Sequence, residues 1–158
     1  MKAFLAASAA LLLTVTNSAT AYAQPDPGGF SFTAVEVADI AKSEAFYVST
    51  IGLKRLMVIS KPTDPFVKIV YGFAGGPSAT QPVLILIHYA NPTPEQNRPS
   101  GVKLGFRVDD AHAAGAKAQA AGYKVIRLAP EQPVAAVNTS VVCDPDGVVV
   151  ELVQMCQP

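Results

Sequence analysis

The sequence contains the same pattern of predicted elements twice, at a nearly constant spacing. Val37 and Val108 are 71 residues apart, and so are Asp39 and Asp110, which are of a residue type that favours the start of a helix. Each copy is predicted to form a strand, a helix and three further strands, a βαβββ unit. One unit alone has nothing to cover the apolar face of its sheet, so we expect the two copies to fold together around a shared cavity.

The boundaries of the elements follow from apolar periodicity and from turn residues. The first helix is predicted to begin after Asp39 and to end at Gly52, and the second to begin after Asp109 or Asp110 and to end at Gly122. Strands are predicted over residues 30–37, 53–60, 67–73, 83–89, 102–108, 123–128, 139–143 and 148–153. The sequence therefore predicts the α+β fold class, with two tandem βαβββ modules.

A proline-rich stretch separates the two modules, which are predicted to occupy residues 30–90 and 101–154. The spacing of the prolines in residues 90–100 excludes a helix or a strand there. The default interpretation is a linker between the modules. The alternative is a lid that carries Arg98 over the mouth of the cavity.

Residues 1–23 have the features of a cleavable signal peptide. Lys2 supplies a positive charge, residues 3–15 are an apolar run, and residues 21–23 (Ala-Tyr-Ala) match the small-x-small pattern of a cleavage site. The run is too short for a permanent membrane anchor, and a retained N-terminal helix is the alternative. The expected mature protein is residues 24–158, periplasmic or secreted and without a membrane partner.

Composition excludes several classes of protein. Twelve Lys and Arg balance twelve Asp and Glu, so no excess positive charge is available to bind a nucleic acid. A hydrophobic content of 50% excludes a disordered chain. Two cysteines are too few for a disulfide framework or a closed zinc site. A predicted hairpin favours a buried Cys143 and an exposed Cys156, and leaves a disulfide between them open.

Two motifs at the ends of the duplicated region resemble a known family. The opening motif is Val35-Glu36-Val37-Ala38-Asp39-Ile40-Ala41-Lys42-Ser43 with Phe46-Tyr47 and Ile51-Gly52-Leu53, and the closing motif is Asp144-Pro145-Asp146-Gly147 with Val150-Glu151-Leu152. Both are similar to those of the vicinal oxygen chelate superfamily, which includes glyoxalases, bleomycin-resistance proteins and extradiol dioxygenases. The resemblance covers nearly the whole chain after residue 23. It implies a cup-shaped half-barrel of two modules with a metal ion at its centre.

The metal site that this resemblance implies is mostly missing. The positions that correspond to the family's ligands hold Phe32, Leu86, Lys103 and Glu151. Only Glu151 is a competent ligand, because Phe and Leu have no donor atom and the Lys ammonium would have to lose a proton. We therefore expect a divergent member of the family with no metal cofactor. A displaced metal site built from His88, Glu151 and Glu36 is the alternative.

Strand alternation predicts which side chains point into the cavity. The candidate catalytic residues are Glu36, His88, Lys103, Arg107 and Glu151, and the candidate substrate-binding residues are Phe32, Tyr71, Leu86, Tyr89 and Arg98. In the catalytic interpretation, His88 or Glu151 moves a proton while Lys103 or Arg107 stabilises a carboxylate or an enolate. In the alternative, the pairs Lys103–Glu151 and Glu36–Arg107 are salt bridges without chemistry. Tyr71, Phe73 and Tyr89 form either an aromatic wall or plain core.

Three functions are consistent with these residues. The first is a metal-independent isomerase or lyase that acts on a small, largely apolar metabolite. The second is a binding protein that sequesters a small molecule without turnover, as the bleomycin-resistance proteins do. The third is a scaffold whose cavity is filled by its own side chains. The expected partner is thus a small molecule, and the resemblance adds a possible homodimer.

Overall fold

The structure is a computed structural model in which residues 30–73, 81–94 and 101–156 are described. The predicted signal peptide and Arg98 lie outside these residues. The elements in chain order are β1 (Phe32–Glu36), α1 (Ile40–Glu44, continued as a π-helix over Ala45–Ile51), β2 (Lys54–Val58), β3 (Phe66–Gly72), β4 (Val83–Tyr89), β5 (Lys103–Arg107), α2 (Ala111–Ala120), β6 (Val125–Arg127), β7 (Val137–Cys143) and β8 (Val149–Met155). This order confirms the α+β class and the repeated βαβββ unit.

Each module forms its own four-stranded mixed sheet. The strand orders are β1-β4-β3-β2 and β5-β8-β7-β6, so the two sheets repeat one topology. In each sheet the first strand pairs in parallel with the last (β1 with β4, β5 with β8), and the other pairs are antiparallel. The two sheets are not closed into a barrel. Among the described residues, no helix is long and apolar enough to cross a membrane.

The predicted helix caps are present. The Asp39 carboxylate accepts hydrogen bonds from the backbone N–H groups of Ala41 (2.9 Å) and Lys42 (3.1 Å). The bond from Lys42 is the main reason that the pKa of Asp39 is lowered. Asp110 accepts in the same way from Ala113 N, at 2.9 Å. Gly52 ends the first helix at φ 95°, a conformation that favours glycine over any residue with a side chain.

Helix α2 packs unusually close to β7 because its inner face is made of small residues. A Cβ atom added at Gly115 would lie 2.5 Å from Ser140 Oγ and 2.7 Å from Leu128 Cδ1. Ser140 Oγ also donates a 2.6 Å hydrogen bond to Ala111 O and accepts one of 2.9 Å from Ala129 N. Ser140 thus connects the start of α2 to the segment after β6. Its side chain occupies space that a Cβ atom at position 115 would fill, so only glycine fits there.

One apolar core spans both modules. One face of each sheet packs against the helices, and the buried residues of this core include Val35, Phe46, Tyr47, Leu84, Leu86, Leu104, Val142, Val150 and Leu152. The opposite face of each sheet, called here the helix-free face, is more exposed. The cysteines are both free, with Cys143 buried and Cys156 half-buried.

The turn between β7 and β8 joins the second module to the first. The Tyr47 hydroxyl donates a 2.8 Å hydrogen bond to Asp144 Oδ2. Asp146 accepts bonds from Ala38 N (3.0 Å) and from Ser43 Oγ (3.1 Å). The Phe46 ring meets the Tyr123 ring edge-on at 4.8 Å between centroids. These contacts fix how the modules sit relative to each other.

Candidate functional site

The helix-free face of the first sheet differs from the one that strand alternation predicts. Val35 pairs with Leu86 and Glu36 pairs with Ile87 in the register of β1 and β4. Directly paired residues place their side chains on the same face. Ile85 and Ile87 therefore share a face with Glu36, whereas Leu86 shares one with Val35 in the core. The prediction for β4 was wrong by one residue, which inverts every side chain of the strand.

Two candidate site residues on β4 are displaced by this shift. Leu86 is fully buried in the core between sheet and helices, so it is not available to a ligand on the helix-free face. His88 lies on the same side, where its Nδ1 is 3.1 Å from Val37 O at the entry to the first helix. His88 is thus a wall residue that ties β4 to the segment after β1, and it does not join Glu151 or Glu36.

The predicted aromatic wall of Tyr71, Phe73 and Tyr89 does not form, because Tyr71 and Tyr89 lie on opposite faces of the sheet. Tyr71 on β3 is fully buried in the core, and burial followed by the charge of Glu44 raises its pKa to about 12. Its hydroxyl has no hydrogen-bond partner of good geometry among the described residues. Tyr89 is on the helix-free face and meets Phe66 edge-on at 5.9 Å.

The second sheet has the predicted register. Between β5 and β8, Lys103 pairs with Val149 and Gly105 pairs with Glu151. On the neighbouring strand β7, Val141 also pairs with Glu151. Lys103 and Glu151 consequently share the helix-free face, and Lys103 Nζ lies 3.4 Å from Glu151 Oε1. The two side chains are 67% and 36% exposed, so the ion pair is open to solvent and to a ligand.

The second predicted pair, Glu36 with Arg107, does not form. Both side chains are exposed, and the structure records no ion pair between them. Glu36 ends β1 and Arg107 ends β5, and these strands belong to different sheets that share no hydrogen bonds. Arg107 instead lines a cavity of about 510 Å³ between the modules.

Large apolar side chains are exposed on both helix-free faces. Phe32 at the start of β1 is 54% exposed, as the prediction of a ligand-facing residue requires. Met57 on β2 is also exposed. On the second sheet, Val137 and Met155 pair with each other at the far end of β7 and β8 and are exposed as well. Exposed apolar surface of this kind is typical of regions that bind a ligand or a partner.

The described side chains do not fit the family's metal centre. On the helix-free face, the β4 residues on either side of the ligand position predicted at Leu86 are Ile85 and Ile87, and neither has an atom that can bind a metal ion. Across the described ranges, no group of three or more His, Cys, Asp or Glu side chains lies close enough to share one ion. The displaced site with His88 is also lost, because His88 is on the other side of its sheet.

Some residues at the module boundary were not predicted as functional. Asp144 and Asp146 are predicted only as part of the closing motif, yet their hydrogen bonds hold the two modules together. Phe106 alternates with the candidates on β5 and contacts both Tyr47 (6.2 Å) and Phe73 (6.3 Å) across the boundary. The sequence signal for this contact is an aromatic residue between Gly105 and Arg107, on the face of β5 opposite to the candidate site residues.

The chain resembles known proteins in sequence pattern and in fold. The family model described as Glyoxalase/Bleomycin resistance protein/Dioxygenase superfamily matches residues 29–152. A search of curated protein sequences finds no match.

Solved structures with the same fold include enzymes and a binding protein. Glyoxalase I from Zea mays superposes with a TM-score of 0.65 at 21% identity, over 81% of this chain and 45% of that one. Glyoxalase I from Leishmania major superposes with a TM-score of 0.63 at 22% identity, over 80% of this chain and 86% of that one. TnmS3, an antibiotic binding protein from Streptomyces sp. CB03234, superposes with a TM-score of 0.57 at 24% identity, over 82% of this chain and 97% of that one. The chain thus spans less than half of the maize enzyme, and at these identities the likeness shows the fold.

Proposed function

We propose that this chain, which belongs to the Glyoxalase/Bleomycin resistance protein/Dioxygenase superfamily, binds a small, largely apolar organic molecule over its helix-free faces without changing it chemically. The observation that carries the proposal is the Lys103–Glu151 ion pair, which lies among valine side chains on an open sheet face. The fold is shared with an antibiotic binding protein, which supports binding without turnover.

The ion pair suits a ligand that has one polar group on an apolar body. Lys103 offers hydrogen-bond donors and Glu151 offers acceptors, while Val141, Val149 and Val153 on the same face offer apolar contact. An exposed ion pair contributes only about 0–1 kcal/mol to stability, so a ligand can separate the two groups at little cost. We therefore expect the pair to select the polar group of the ligand while the valines supply most of the contact area.

A ligand screen with matched variants tests this proposal. Thermal-shift screening of small aromatic and alicyclic compounds is followed by calorimetric titration of each hit. We expect Lys103→Met and Glu151→Gln to weaken binding by about fivefold, the effect of one partly exposed polar contact. Lys61→Met, a charge change in the loop before β3, should leave the affinity unchanged. Equal affinity in all three variants would place the ligand elsewhere.

A metal-independent isomerase or lyase is the second candidate, and the same ion pair is what favours it. A carboxylate beside an ammonium group is suited to remove a proton next to a carbonyl while the cation stabilises the enolate. Mass spectrometry of each hit after incubation separates the candidates. Recovery of the unchanged compound supports a binding protein. A product whose formation stops in a folded Glu151→Gln variant supports the enzyme.

We also infer that the protein is exported, from the signal-peptide pattern of residues 1–23. Sequencing the N-terminus of the protein recovered from periplasm or medium tests this, and the expected first residue is Gln24. A homodimer would cover exposed side chains such as Phe32 and Met155. Sedimentation of the purified protein with and without a bound hit measures the assembly state directly.

A further inference from the structure

In the described part of the chain the two modules meet at two junctions, and one of them is closed by side-chain hydrogen bonds. At this closed junction, the turn of residues 144–148 meets the first helix. Tyr47 donates to Asp144, and Ser43 donates to Asp146. Asp144 is almost fully buried, so the turn fills the space between the modules.

The other junction is built from the matching parts of each module but lacks these groups. Phe73 is the first residue after β3, as Asp144 is after β7, and the two are 71 residues apart. The residues 71 positions after Tyr47 and Ser43 are Ala118 and Ala114, which have no hydroxyl groups. The connection after β3 has ten residues, 73–82, against five after β7. The second junction therefore cannot close by the same bonds.

Two adjoining cavities lie at this second junction. One has a volume of about 510 Å³ and the other about 460 Å³. Phe73 and Arg107 line both of them. The larger volume lies within the range of about 300–1,000 Å³ that is typical of small-molecule sites.

The larger cavity has apolar and aromatic walls and one charge. Phe73, Phe106 and Leu84 contribute to its walls, and Phe73 and Phe106 meet edge-on at 6.3 Å. Arg107 is the only charged residue among the described residues that line it. Its guanidinium forms no ion pair or hydrogen bond with any described residue. The five donors of this group are therefore available at the edge of an apolar space.

The smaller cavity has a different charge balance. It is lined by Asp109, Asp110 and Lys117 in addition to Arg107. The Asp110 carboxylate is already engaged by Ala113 N at the start of α2, but Asp109 remains as a negative charge. The two carboxylates of this cavity balance its two cations, whereas in the larger cavity the charge of Arg107 has no counter-charge among the described lining residues.

We propose that the larger cavity binds a small organic anion with a planar aromatic body, whose negatively charged group is held by Arg107 and whose ring packs against Phe73 and Phe106. A guanidinium binds a carboxylate with two parallel hydrogen bonds, and aromatic rings pack edge-on or offset against a planar ligand. The site is separate from the Lys103–Glu151 pair of the proposed function, and it stands or falls independently.

Naphthalene-2-carboxylate is the probe, and naphthalene-2-methanol is its uncharged counterpart. Binding is followed by backbone amide NMR shifts in the full-length mature protein. We expect saturable shifts at Gly105, Phe106 and Arg107, with smaller or no shifts at Lys103 and Val149, which pair at the other end of β5. The alcohol should bind more weakly, because it cannot form the charged pair.

Variants assign the charge and the ring contacts separately. Arg107→Gln should raise the Kd of the carboxylate at least about fivefold and leave that of the alcohol unchanged. Phe73→Leu should weaken both probes. Arg127→Gln, an exposed charge change on β6, should change neither affinity. The proposal is overturned by shifts confined to β8, by an Arg107→Gln variant that binds as the native protein does, or by no binding up to the solubility limit.

Discussion

The Tyr47 hydroxyl donates a 2.8 Å hydrogen bond to Asp144 Oδ2, joining two residues 97 positions apart and on different modules. The other oxygen of Asp144 accepts from Val148 N (2.8 Å) and Asp146 N (3.0 Å). One carboxylate therefore shapes the turn after β7 and binds that turn to the first helix. Burial, followed by the charge of Asp144, raises the pKa of Tyr47, so its hydroxyl stays protonated and can donate.

Replacing Tyr47 with Phe removes the donor and leaves a buried carboxylate oxygen without its partner. We expect Tyr47→Phe to lower the free energy of unfolding by about 1–3 kcal/mol. Urea denaturation followed by circular dichroism measures this change. Tyr89→Phe is the matched control, since Tyr89 lies on the helix-free face, and it should change stability little. Equal stability of the two variants would mean that the bond contributes nothing across the boundary.

The pH dependence of stability should change when Asp144 is replaced by Asn. Burial is the largest cause of the raised pKa of Asp144, ahead of its hydrogen bonds, which lower it. The folded state then binds the proton more tightly than the unfolded state, whose carboxyl titrates near 3.8. The stabilisation that Asp144 contributes is therefore fully present below pH 3.8, and it is lost as the pH rises through the pKa of the folded state.

Urea titrations between pH 3 and pH 7 on the native protein and Asp144→Asn isolate this contribution as a difference. We expect the stability of the native protein relative to the variant to fall as the pH rises. A difference that instead grows with pH would show that the hydrogen bonds from Tyr47 and the turn outweigh burial.

A single methyl group at position 115 should disrupt the contact between α2 and β7. Alanine favours a helix over glycine by about 1 kcal/mol, yet its Cβ would lie 2.5 Å from Ser140 Oγ. We expect Gly115→Ala to destabilise the protein by about 1–3 kcal/mol. Ala113→Gly, at an exposed position of the same helix, measures the propensity effect. A stabilised Gly115→Ala variant would show that the helix can move away from the sheet without cost.

The position of His88 predicts a structural role and no role in binding. Its Nδ1 lies 3.1 Å from Val37 O, on the side of the sheet that faces the helices. We expect His88→Ala to lower the free energy of unfolding by about 1 kcal/mol and to leave the affinity for ligands of the Lys103–Glu151 face unchanged. A His88→Ala variant that is as stable as the native protein but no longer binds the ligand would show that His88 belongs to the binding site.

The donor set predicts no specific binding of a divalent metal. We expect metal analysis of the purified protein to find no stoichiometric ion, and the melting temperature to be unaffected by Zn²⁺, Ni²⁺ or Mn²⁺. Treatment with EDTA should likewise leave the melting temperature unchanged. One equivalent of metal that EDTA removes, with a fall in melting temperature, would contradict the donor argument.

The sequence predicted the elements well where local chemistry determines them. Asp39 and Asp110 cap their helices as expected, and the second sheet has the predicted register because Lys103 and Arg107 alternate with the apolar Leu104 and Phe106. Strand β4 reads Val-Leu-Ile-Leu-Ile-His-Tyr and is apolar on both faces, so alternation carries no information there. That ambiguity produced the wrong placement of Leu86 and His88.

The relation between the modules was beyond what the sequence determines. Glu36 and Arg107 occupy matching positions in the duplication, which suggested a pair, but their strands lie in separate sheets. Symmetry in sequence does not specify which surfaces of the two modules meet. The contact between Phe73 and Phe106 depends on that arrangement, so the cavity beside Arg107 became visible only in three dimensions.

The single core described above has a consequence for how the halves relate to each other. Its buried side chains come from both modules, and the bonds from Tyr47 and Ser43 cross between them, whereas the described residues 90–94 of the connecting segment are exposed. The peptide connection then acts chiefly by keeping two self-recognising halves at high effective concentration. Each half stands to the other as one subunit of an obligate dimer does to its partner, with the chain serving as a tether.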